Sequence, residues 1–315
     1  MIYLSQQDVE ELLDLDALID ALADAHRELS EGKASMPPRI AAFAERNGLL
    51  GAMPAYLPSA GLTCKLVSLF PENRDRHTHQ ALIAVFDQTN GTPVALMDGT
   101  YITATRTAAG AALSTRLLAR DDARVLAILG AGVQARTHAD ALRRVLAFGE
   151  VRVASRDPAR AAALAAEIGA EPAASFEEAV RDADVVAAAT HATEPIVMRE
   201  WLAPGAHVSS VGANPAGRGE VDPAIVRDAA IVAVEYREST LAPPPAGASE
   251  FRDGAPDVVE LGELVAGTKP GRGSRDEITL YKSVGVAVQD AAAAALVLAA
   301  ARQRSVGREI ELEER

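Results

Sequence analysis

The stretch VLAILGAGVQAR, residues 125–136, decides the fold of this chain. An apolar run leads into Gly130 and Gly132, and Ala135 follows three positions later, which fits the pattern G-x-G-x-x-G/A. In this pattern the first glycine permits a tight turn, the second leaves room for backbone to approach a pyrophosphate, and the small third residue lets the helix pack against the strand. The stretch therefore predicts a strand, a turn and a helix that bind a dinucleotide.

The residues on either side of this turn favour dinucleotide binding over the alternative, a purely structural glycine turn. The run RVLAIL precedes the turn as a buried strand, ARTHADALRRV follows it as a helix, and VRVASR arrives as a second strand at the expected distance. The predicted pyrophosphate loop runs from Gly130 to Ala135 and includes Val133 and Gln134 at the helix N-terminus.

The end of the second strand is the place where NAD and NADP are distinguished. An acidic residue there would bond the ribose 2′-hydroxyl, whereas this chain reads Ser155-Arg156-Asp157. Ser155 can donate a hydrogen bond, and the planar guanidinium of Arg156 suits a 2′-phosphate. In the alternative, Arg156 is a solvated surface residue and Asp157 contacts the ribose. The sequence favours NADP(H), with NAD(H) as the alternative.

The spacing of apolar runs changes along the chain and predicts two domains. Beyond residue 119, apolar runs alternate with helices, which implies crossover connections and a parallel sheet; these runs are 124–129, 150–154, 184–190, 207–211 and 230–235. Earlier in the chain, short apolar runs are separated by turns such as Asn90-Gly91, which predicts hairpins. The predicted fold class is α/β, a Rossmann doubly wound parallel sheet (119–285) plus an α+β substrate-binding and dimerisation domain (1–118 and about 286–315), to which a long Ala-rich helix crosses back.

The composition limits the classes of function. A net charge of −13 over 315 residues argues against a nucleic-acid surface. Cys64 is the only cysteine, which excludes an intrachain disulfide and favours a reducing compartment. The N-terminus does not resemble a secretory signal, and the longest apolar run, 291–301, is too short to span a bilayer. We expect a cytoplasmic protein with no nucleic-acid or membrane partner and no metal.

Three cations in the first domain are candidates for binding an anion: Arg39 in PPRI, Lys65 in TCKLVS and Arg106 in TATRTAAG. Lys65 lies within an apolar strand-like run, where an unpaired ammonium is costly, so it needs an anionic partner, either a protein carboxylate or a bound substrate. Arg106 is expected near a helix start, where its charge would add to the positive end of the helix and form an anion site.

The carboxyl ends of the later strands carry the remaining candidates, because ligands meet a doubly wound sheet at that edge. One strand ends at Thr190 and His191, and the next leads to Asn214. His191 is either a proton donor, since its ordinary pKa is near neutrality, or a loop residue beside the cofactor ribose.

Segments along nearly the whole chain resemble the ornithine cyclodeaminase and mu-crystallin family. In order, these segments are PPRI, GAMPAY, TCKLVSLFPEN, HQALIAVFDQTNGTPVALMDGTYITATRTAA, ILGAGVQA, THATEPI, WLAPGAHVSSVGAN, ELGELVAGTKPG and YKSVGVAVQD. The resemblance implies a homodimer whose first domain forms the dimer interface and the substrate site beside a Rossmann domain. It implies that Arg39, Lys65 and Arg106 hold a substrate carboxylate, with Arg106 also near the cofactor, and that Ser155-Arg156 forms a 2′-phosphate site.

Asn214 departs from the cyclodeaminase pattern. Ornithine cyclodeaminases have an Asp at the matching position, and an amide cannot take up a proton as that carboxylate does. The resemblance to mu-crystallins, which also lack the Asp, implies reduction of a cyclic α-imino acid such as 1-pyrroline-2-carboxylate or 1-piperideine-2-carboxylate, with the proton supplied by Lys65 or by a water held by Asn214. The alternatives are ornithine cyclodeaminase, an alanine-type dehydrogenase, and a protein that binds NADPH and a small ligand without turnover.

Overall fold

A computed structural model describes residues 1–45, 47–212, 219–243, 247–251, 254 and 256–311. The chain separates into two compact units. The first unit consists of Met1–Arg106 and Val286–Arg315, and the second consists of Thr107–Gly285. The first boundary falls inside a helix, and the second lies between a strand and the long Ala-rich helix. Asn214 lies outside the described residues.

The described part of the chain forms strands and α-helices in this order: β1 (Ile2–Leu4), α1 (Gln6–Leu12), α2 (Leu15–Ser30), β2 (Ile40–Phe43), β3 (Leu49–Leu57), β4 (Gly61–Leu69), β5 (His79–Phe86), β6 (Pro93–Asp98), α3 (Thr100–Leu118), β7 (Val125–Leu129), α4 (Val133–Val145), β8 (Glu150–Ala154), α5 (Pro158–Ile168), β9 (Glu171–Pro172), α6 (Phe176–Val180), β10 (Val185–Ala188), β11 (His207–Ser210), α7 (Pro223–Asp228), β12 (Ile231–Val234), α8 (Arg237–Thr240), β13 (Val258–Glu260), α9 (Leu261–Val265), β14 (Thr279–Lys282), α10 (Ala287–Arg304) and β15 (Arg308–Glu309). Among these helices, none has the length and apolar character needed to cross a membrane.

The first unit is built on a mixed sheet in the order β15-β1-β6-β5-β4-β3-β2. Strands β2 to β6 pair antiparallel with their neighbours in sequence, as the hairpin prediction required. The turn at Asn90-Gly91 joins β5 to β6, with Gly91 at φ +77° in the left-handed region and the carboxylate of Asp87 accepting the N–H of Thr89. Helix α10 packs against β3 and β4, contacts α2 and belongs to the first unit.

One face of this sheet is apolar and exposed. The register places Ile40 and Leu66 opposite Ala52, and Leu82 opposite Leu66, so these side chains point to the same side of the sheet. The large apolar side chains on this side are 37–70% exposed, namely Ile40, Leu50, Leu62, Leu66 and Leu82. The alternate residues of the same strands, such as Met53 and Ile83, are buried. The sheet therefore has one buried face and one apolar face in contact with solvent.

The second unit is an entirely parallel sheet in the order β13-β12-β14-β11-β10-β7-β8-β9. Its central strands are buried along their whole length, with apolar clusters on both faces, because helices cover both sides of a parallel sheet. The strand order runs outward in both directions from the gap between β7 and β10, which is the switch point where ligands meet such sheets. The fold is therefore the predicted α/β class.

Candidate functional site

The glycine turn after β7 has the backbone geometry that only glycine adopts without strain. Gly130 has a φ of +118°, and a Cβ at this position would lie 2.6 Å from the carbonyl oxygen of Ala189, which follows β10. The turn is therefore pressed against the end of the neighbouring strand. A larger residue here would push the two strand ends apart at the switch point.

The N-terminus of α4 is open to an anion. Its N-cap is Gly132, which has no side chain to cap the first turn, whereas Asp157 caps α5 and Ser175 caps α6. Apart from its neighbours in the chain, no atom of the described residues lies within 4 Å of the position that a Cβ of Gly132 would occupy. The buried Oε1 of Gln134 also has no hydrogen-bond partner. These residues fit the pyrophosphate of a dinucleotide, with N–H groups and the helix dipole directed at the negative charge.

The end of β8 presents cations to solvent. Arg156 is exposed, and the carboxylate of Asp157 accepts hydrogen bonds from two backbone N–H groups in the first turn of α5. Asp157 is thus engaged as a helix cap, and the hydroxyl of Ser155 accepts from its N–H. Arg160, which the sequence analysis overlooked, reaches the glycine turn and donates to the carbonyl oxygen of Ala131 at 3.4 Å. The sequence could have indicated Arg160, because it lies only four residues after Arg156, near the same end of β8.

Thr190 and His191 follow β10 but differ in their surroundings. The N–H and hydroxyl of Thr190 both donate to the Oε1 atom of Glu220, at 2.6 and 2.7 Å. Both hydrogen-bond donors of Thr190 are therefore used within the protein, where they stabilise the turn after β10. The side chain of His191 is exposed. Glu220 was not among the site residues predicted from the sequence.

Lys65 and Arg106 share one carboxylate in the first unit. The Nζ atom of Lys65 lies 2.7 Å from Oδ2 of Asp290, and Nε of Arg106 lies 3.2 Å from Oδ1. All three side chains are at most 6% exposed. Of the two expected kinds of anionic partner for Lys65, the structure shows a protein carboxylate, that of Asp290. Arg39 is exposed, and its positive charge acts on Lys65.

Further hydrogen bonds hold this cluster on both sides. The Nη1 atom of Arg106 donates to Oε1 of Gln289 at 2.9 Å, and Nε2 of Gln289 donates to Nε2 of His26 at 3.1 Å. Since that imidazole nitrogen accepts, the neutral ring of His26 carries its proton on Nδ1. On the other side, the hydroxyl of Thr103 receives a hydrogen bond from Lys65 at 3.5 Å. Three helices, α2, α3 and α10, and the strand β4 thus fix the geometry of the two cations.

The expected place of Arg106 at a helix start is wrong. Helix α3 begins at Thr100, where the carboxylate of Asp98 accepts the N–H of Tyr101 at 2.7 Å, so Arg106 is already in the second turn. Asp98, the last residue of β6, thus caps the N-terminus of α3. Arg106 therefore acts through its ion pair with Asp290, and the helix dipole adds little at that depth.

The charges in this cluster alter one another's titration. Burial, together with the charges of Arg106 and Arg39, lowers the pKa of Lys65 to about 8 even though Asp290 acts in the opposite direction. Burial would raise the pKa of Asp290, but Lys65 and Arg106 outweigh burial and lower it. Lys65 is therefore mainly protonated at neutral pH yet close to releasing its proton.

His79 is a neighbour of this cluster that the sequence analysis did not identify. It begins β5, and its even spacing from Ile83 places it on the buried face of the sheet that also carries Lys65. Burial and then the positive charges of Lys65 and Arg106 lower the pKa of His79 to about 4. The imidazole is therefore neutral at physiological pH and adds no charge to the cluster.

The fold and these residues define a dinucleotide-binding α/β protein whose first unit holds a buried cationic cluster. Residues 1–305 match the model of the ornithine cyclodeaminase/mu-crystallin family. This chain belongs to that family.

Individual relatives cover almost the whole chain. The ketimine reductase mu-crystallin of Macropus fuliginosus is 38% identical over 307 residues, which are 94% of this chain and 96% of the relative. The solved structure of the Thermococcus litoralis Delta(1)-pyrroline-2-carboxylate reductase in complex with NADH and L-proline has a TM-score of 0.91 and 36% identity, covering 98% of this chain and 100% of that one. An archaeal alanine dehydrogenase dimer with bound NAD has a TM-score of 0.92 and 33% identity, covering 99% of both chains.

Proposed function

We propose that this chain is an imine reductase that transfers hydride from NADPH to the C=N carbon of a cyclic α-imino acid and releases the L-amino acid. It is an NAD(P)-dependent oxidoreductase that acts on a C=N bond. We assign cofactor binding to the second unit and substrate binding to the first. The observation that carries the proposal is the buried cluster of Lys65, Arg106 and Asp290.

The charge of this cluster favours a carboxylate ligand. Lys65 and Arg106 contribute two positive charges and Asp290 one negative charge, so the three buried side chains have a net charge of +1. Arg39 adds a further positive charge near Lys65. An excess positive charge in a desolvated site is stabilised by an anion, and an α-imino acid provides one carboxylate. The substrates we favour are 1-pyrroline-2-carboxylate and 1-piperideine-2-carboxylate.

The reaction needs a hydride and a proton. When bound, the reduced nicotinamide supplies the hydride. We assign the proton to Lys65, whose ammonium has a pKa of about 8 and can protonate the imine nitrogen near neutral pH. Arg39 and Arg106 hold the substrate carboxylate and so fix the orientation of the imine. Asn214 lacks the basic carboxylate of the cyclodeaminases, which disfavours deamination of ornithine, and its amide is assigned to orienting a water or the substrate nitrogen.

Cofactor preference is assigned to the end of β8. Arg156 is exposed there, and Arg160 brings a second guanidinium to the glycine turn, so two cations are available to a 2′-phosphate. Since Asp157 caps α5, its carboxylate is partly engaged. We therefore favour NADP(H), with Ser155 as a further donor. In Arg156→Asp the preference should move toward NADH, and an unchanged ratio of kcat/KM values for the two cofactors would remove this assignment.

The exposed apolar face of the first sheet supports a homodimer. A contiguous apolar patch of this kind on one side of β2 to β5 marks a protein interface in soluble proteins, and burying it against a second copy removes it from water. The archaeal alanine dehydrogenase relative is a dimer. We assign the interface of this chain to that face.

A second candidate is an alanine dehydrogenase, because the curated relative of that name from Archaeoglobus fulgidus is 34% identical over 98% of this chain. One panel separates the candidates: oxidation of NADPH or NADH with cyclic ketimines, with pyruvate and ammonia, and formation of proline and ammonia from L-ornithine with catalytic NAD. We expect turnover with a cyclic ketimine. Net oxidation with pyruvate and ammonia alone would favour the dehydrogenase, and turnover of ornithine would refute our interpretation of Asn214. Cofactor binding without turnover of any substrate would indicate a binding protein.

A further inference from the structure

Glu220 joins the ends of two strands in the second unit. It is 1% exposed, and its Oε1 atom accepts from the N–H and hydroxyl of Thr190, at 2.6 and 2.7 Å. Its Oε2 atom accepts from the hydroxyl of Ser210 at 3.0 Å and from the N–H of Gly212 at 2.7 Å. Thr190 follows β10, and Gly212 follows β11. One carboxylate therefore fixes the turns that leave two neighbouring strands.

Lys282 extends this arrangement to a third strand. Its Nζ atom, at the end of β14, lies 2.7 Å from the carbonyl oxygen of Gly212, 3.2 Å from Oγ of Ser210 and 2.8 Å from Oε1 of Glu250. Glu250 also accepts the backbone N–H of Glu220 at 3.2 Å. Lys282 and Glu250 form a buried ion pair, and this pair stabilises the position of Glu220 through the hydrogen bond from its backbone N–H to Glu250.

The turns held by Glu220 are in van der Waals contact with one another. A Cβ on Gly212 would lie 2.4 Å from the carbonyl oxygen of Thr190 and 2.4 Å from the carboxyl carbon of Glu220. A Cβ on Gly130 would lie 2.6 Å from the carbonyl oxygen of Ala189. The turns after β7, β10 and β11 therefore form a continuous row along the carboxyl edge of the sheet, where a dinucleotide lies in doubly wound folds.

We propose that Glu220 is a positioning residue for the nicotinamide dinucleotide. In this role Glu220 does not contact the dinucleotide. It fixes the position of the turns after β10 and β11, and these turns, together with the glycine turn, form the surface that binds the dinucleotide. The inference depends on the proposed function to the extent that a nicotinamide dinucleotide must bind at this edge. All the groups that Glu220 holds belong to the second unit.

The variant Glu220→Gln tests this role. An amide has one acceptor oxygen, and its NH₂ group would face N–H or O–H donors that the second carboxylate oxygen now satisfies. We expect the dissociation constant for NADPH, measured by calorimetry on the full-length protein, to rise about tenfold or more. A dissociation constant within twofold of the wild-type value would overturn the proposal.

Asp184→Asn is the matched control. The carboxylate of Asp184 accepts the N–H groups of Arg124 and Val125 at 2.7 and 2.9 Å, so it joins the starts of β7 and β10 at the opposite edge of the same sheet. Asp184 also pairs with Arg120, so we expect this variant to lose thermal stability without a change in the dissociation constant for NADPH. An equal loss of affinity in Asp184→Asn and Glu220→Gln would mean that Glu220 acts only through overall stability, which also overturns the proposal.

A milder variant covers the case in which Glu220→Gln does not fold. Thr190→Val keeps the shape of the side chain but removes the hydroxyl that donates to Glu220. We expect the dissociation constant for NADPH to rise about threefold or more, with Thr190→Ser close to wild type, since one of the four donors is lost and then restored. An unchanged affinity in Thr190→Val would overturn the positioning role. If the wild-type protein binds neither NADPH nor NADH, the proposed function itself fails, which is a separate outcome.

Discussion

The substitution Asp290→Asn tests the charge arrangement in the first unit. It keeps the size and shape of the side chain but removes the only negative charge that contacts Lys65 and Arg106 among the described residues. Arg106 retains its hydrogen bond to Gln289, whereas Lys65 retains only the longer contact with Thr103. The energetic effect should therefore be expressed mainly through Lys65.

The expected magnitude follows from burial and titration. Removing one partner of a buried ion pair costs about 3–5 kcal/mol. Even with Asp290 present, the pKa of Lys65 falls from 10.5 to about 8 in the folded protein, which corresponds to about 3 kcal/mol at about 1.4 kcal/mol per pH unit. Because the folded pKa is the lower one, this penalty is complete below pH 8 and disappears as the pH rises to 10.5. Without Asp290 the pKa of Lys65 should fall further.

Urea unfolding followed by circular dichroism, at pH 7 and at pH 10, measures these effects. We expect Asp290→Asn to lose about 3–5 kcal/mol at pH 7 and clearly less at pH 10, where Lys65 is neutral. In a Lys65→Met background the loss at pH 7 should shrink by about 1–3 kcal/mol, because one of the unpaired cations is gone. A loss below about 1 kcal/mol at pH 7, or the same loss in both backgrounds, would refute the reasoning.

Three further predictions concern other parts of the molecule. In Gly130→Ala the φ of +118° and a backbone oxygen 2.6 Å from the new Cβ should cost about 1–3 kcal/mol of stability and weaken NADPH binding. Gly132→Ala, which has open space around the new Cβ, should change stability much less when both variants are compared by thermal unfolding. Leu66→Glu places a charge opposite Leu82 on the exposed apolar face and should convert a dimer into monomers in sedimentation equilibrium. The control Leu66→Ala should remain largely dimeric. A Leu66→Glu dimer of unchanged affinity would contradict the assigned interface. With Lys65 as proton donor, kcat/KM for a cyclic ketimine should fall as the pH rises above about 8, and a flat profile to pH 9.5 would exclude that role.

The strands of the parallel sheet could be predicted from sequence because they are buried on both faces and read as uninterrupted apolar runs. The glycine turn and the hairpin at Asn90-Gly91 have local signatures, and the structure confirms both. The placement of β14 between β11 and β12 has no such signature, since the order of strands depends on packing between distant segments. The short strand β13 at the sheet edge is likewise too brief for an apolar pattern to identify.

Contacts between side chains that are far apart in the sequence also could not be predicted in the candidate site. The cost of burying Lys65 predicted that it has an anionic partner, but nothing local indicates that the partner is Asp290. Asp290 lies at the start of the Ala-rich helix α10, 184 residues from Arg106 in the chain. An acidic residue in a helix of that composition is ordinarily interpreted as a solvated position or as a favourable charge near the helix N-terminus. Only the return of α10 to the first unit reveals its role.

Asp290 and Glu220 belong to separate networks of contacts, and the proposed separation of their roles can be measured. Asp290 pairs with Lys65 and Arg106 in the first unit, whereas Glu220 holds Thr190 and its neighbours in the second. Asp290→Asn should therefore leave the dissociation constant for NADPH unchanged, and Glu220→Gln should leave the alkaline pH dependence of stability, which belongs to Lys65, as in the wild type. Sites that share no contact partner add within about 0.5 kcal/mol, so the double variant should show the sum of the two losses of stability. A larger deviation would mean that the two buried carboxylates are coupled, and that substrate and cofactor binding are not set by separate networks.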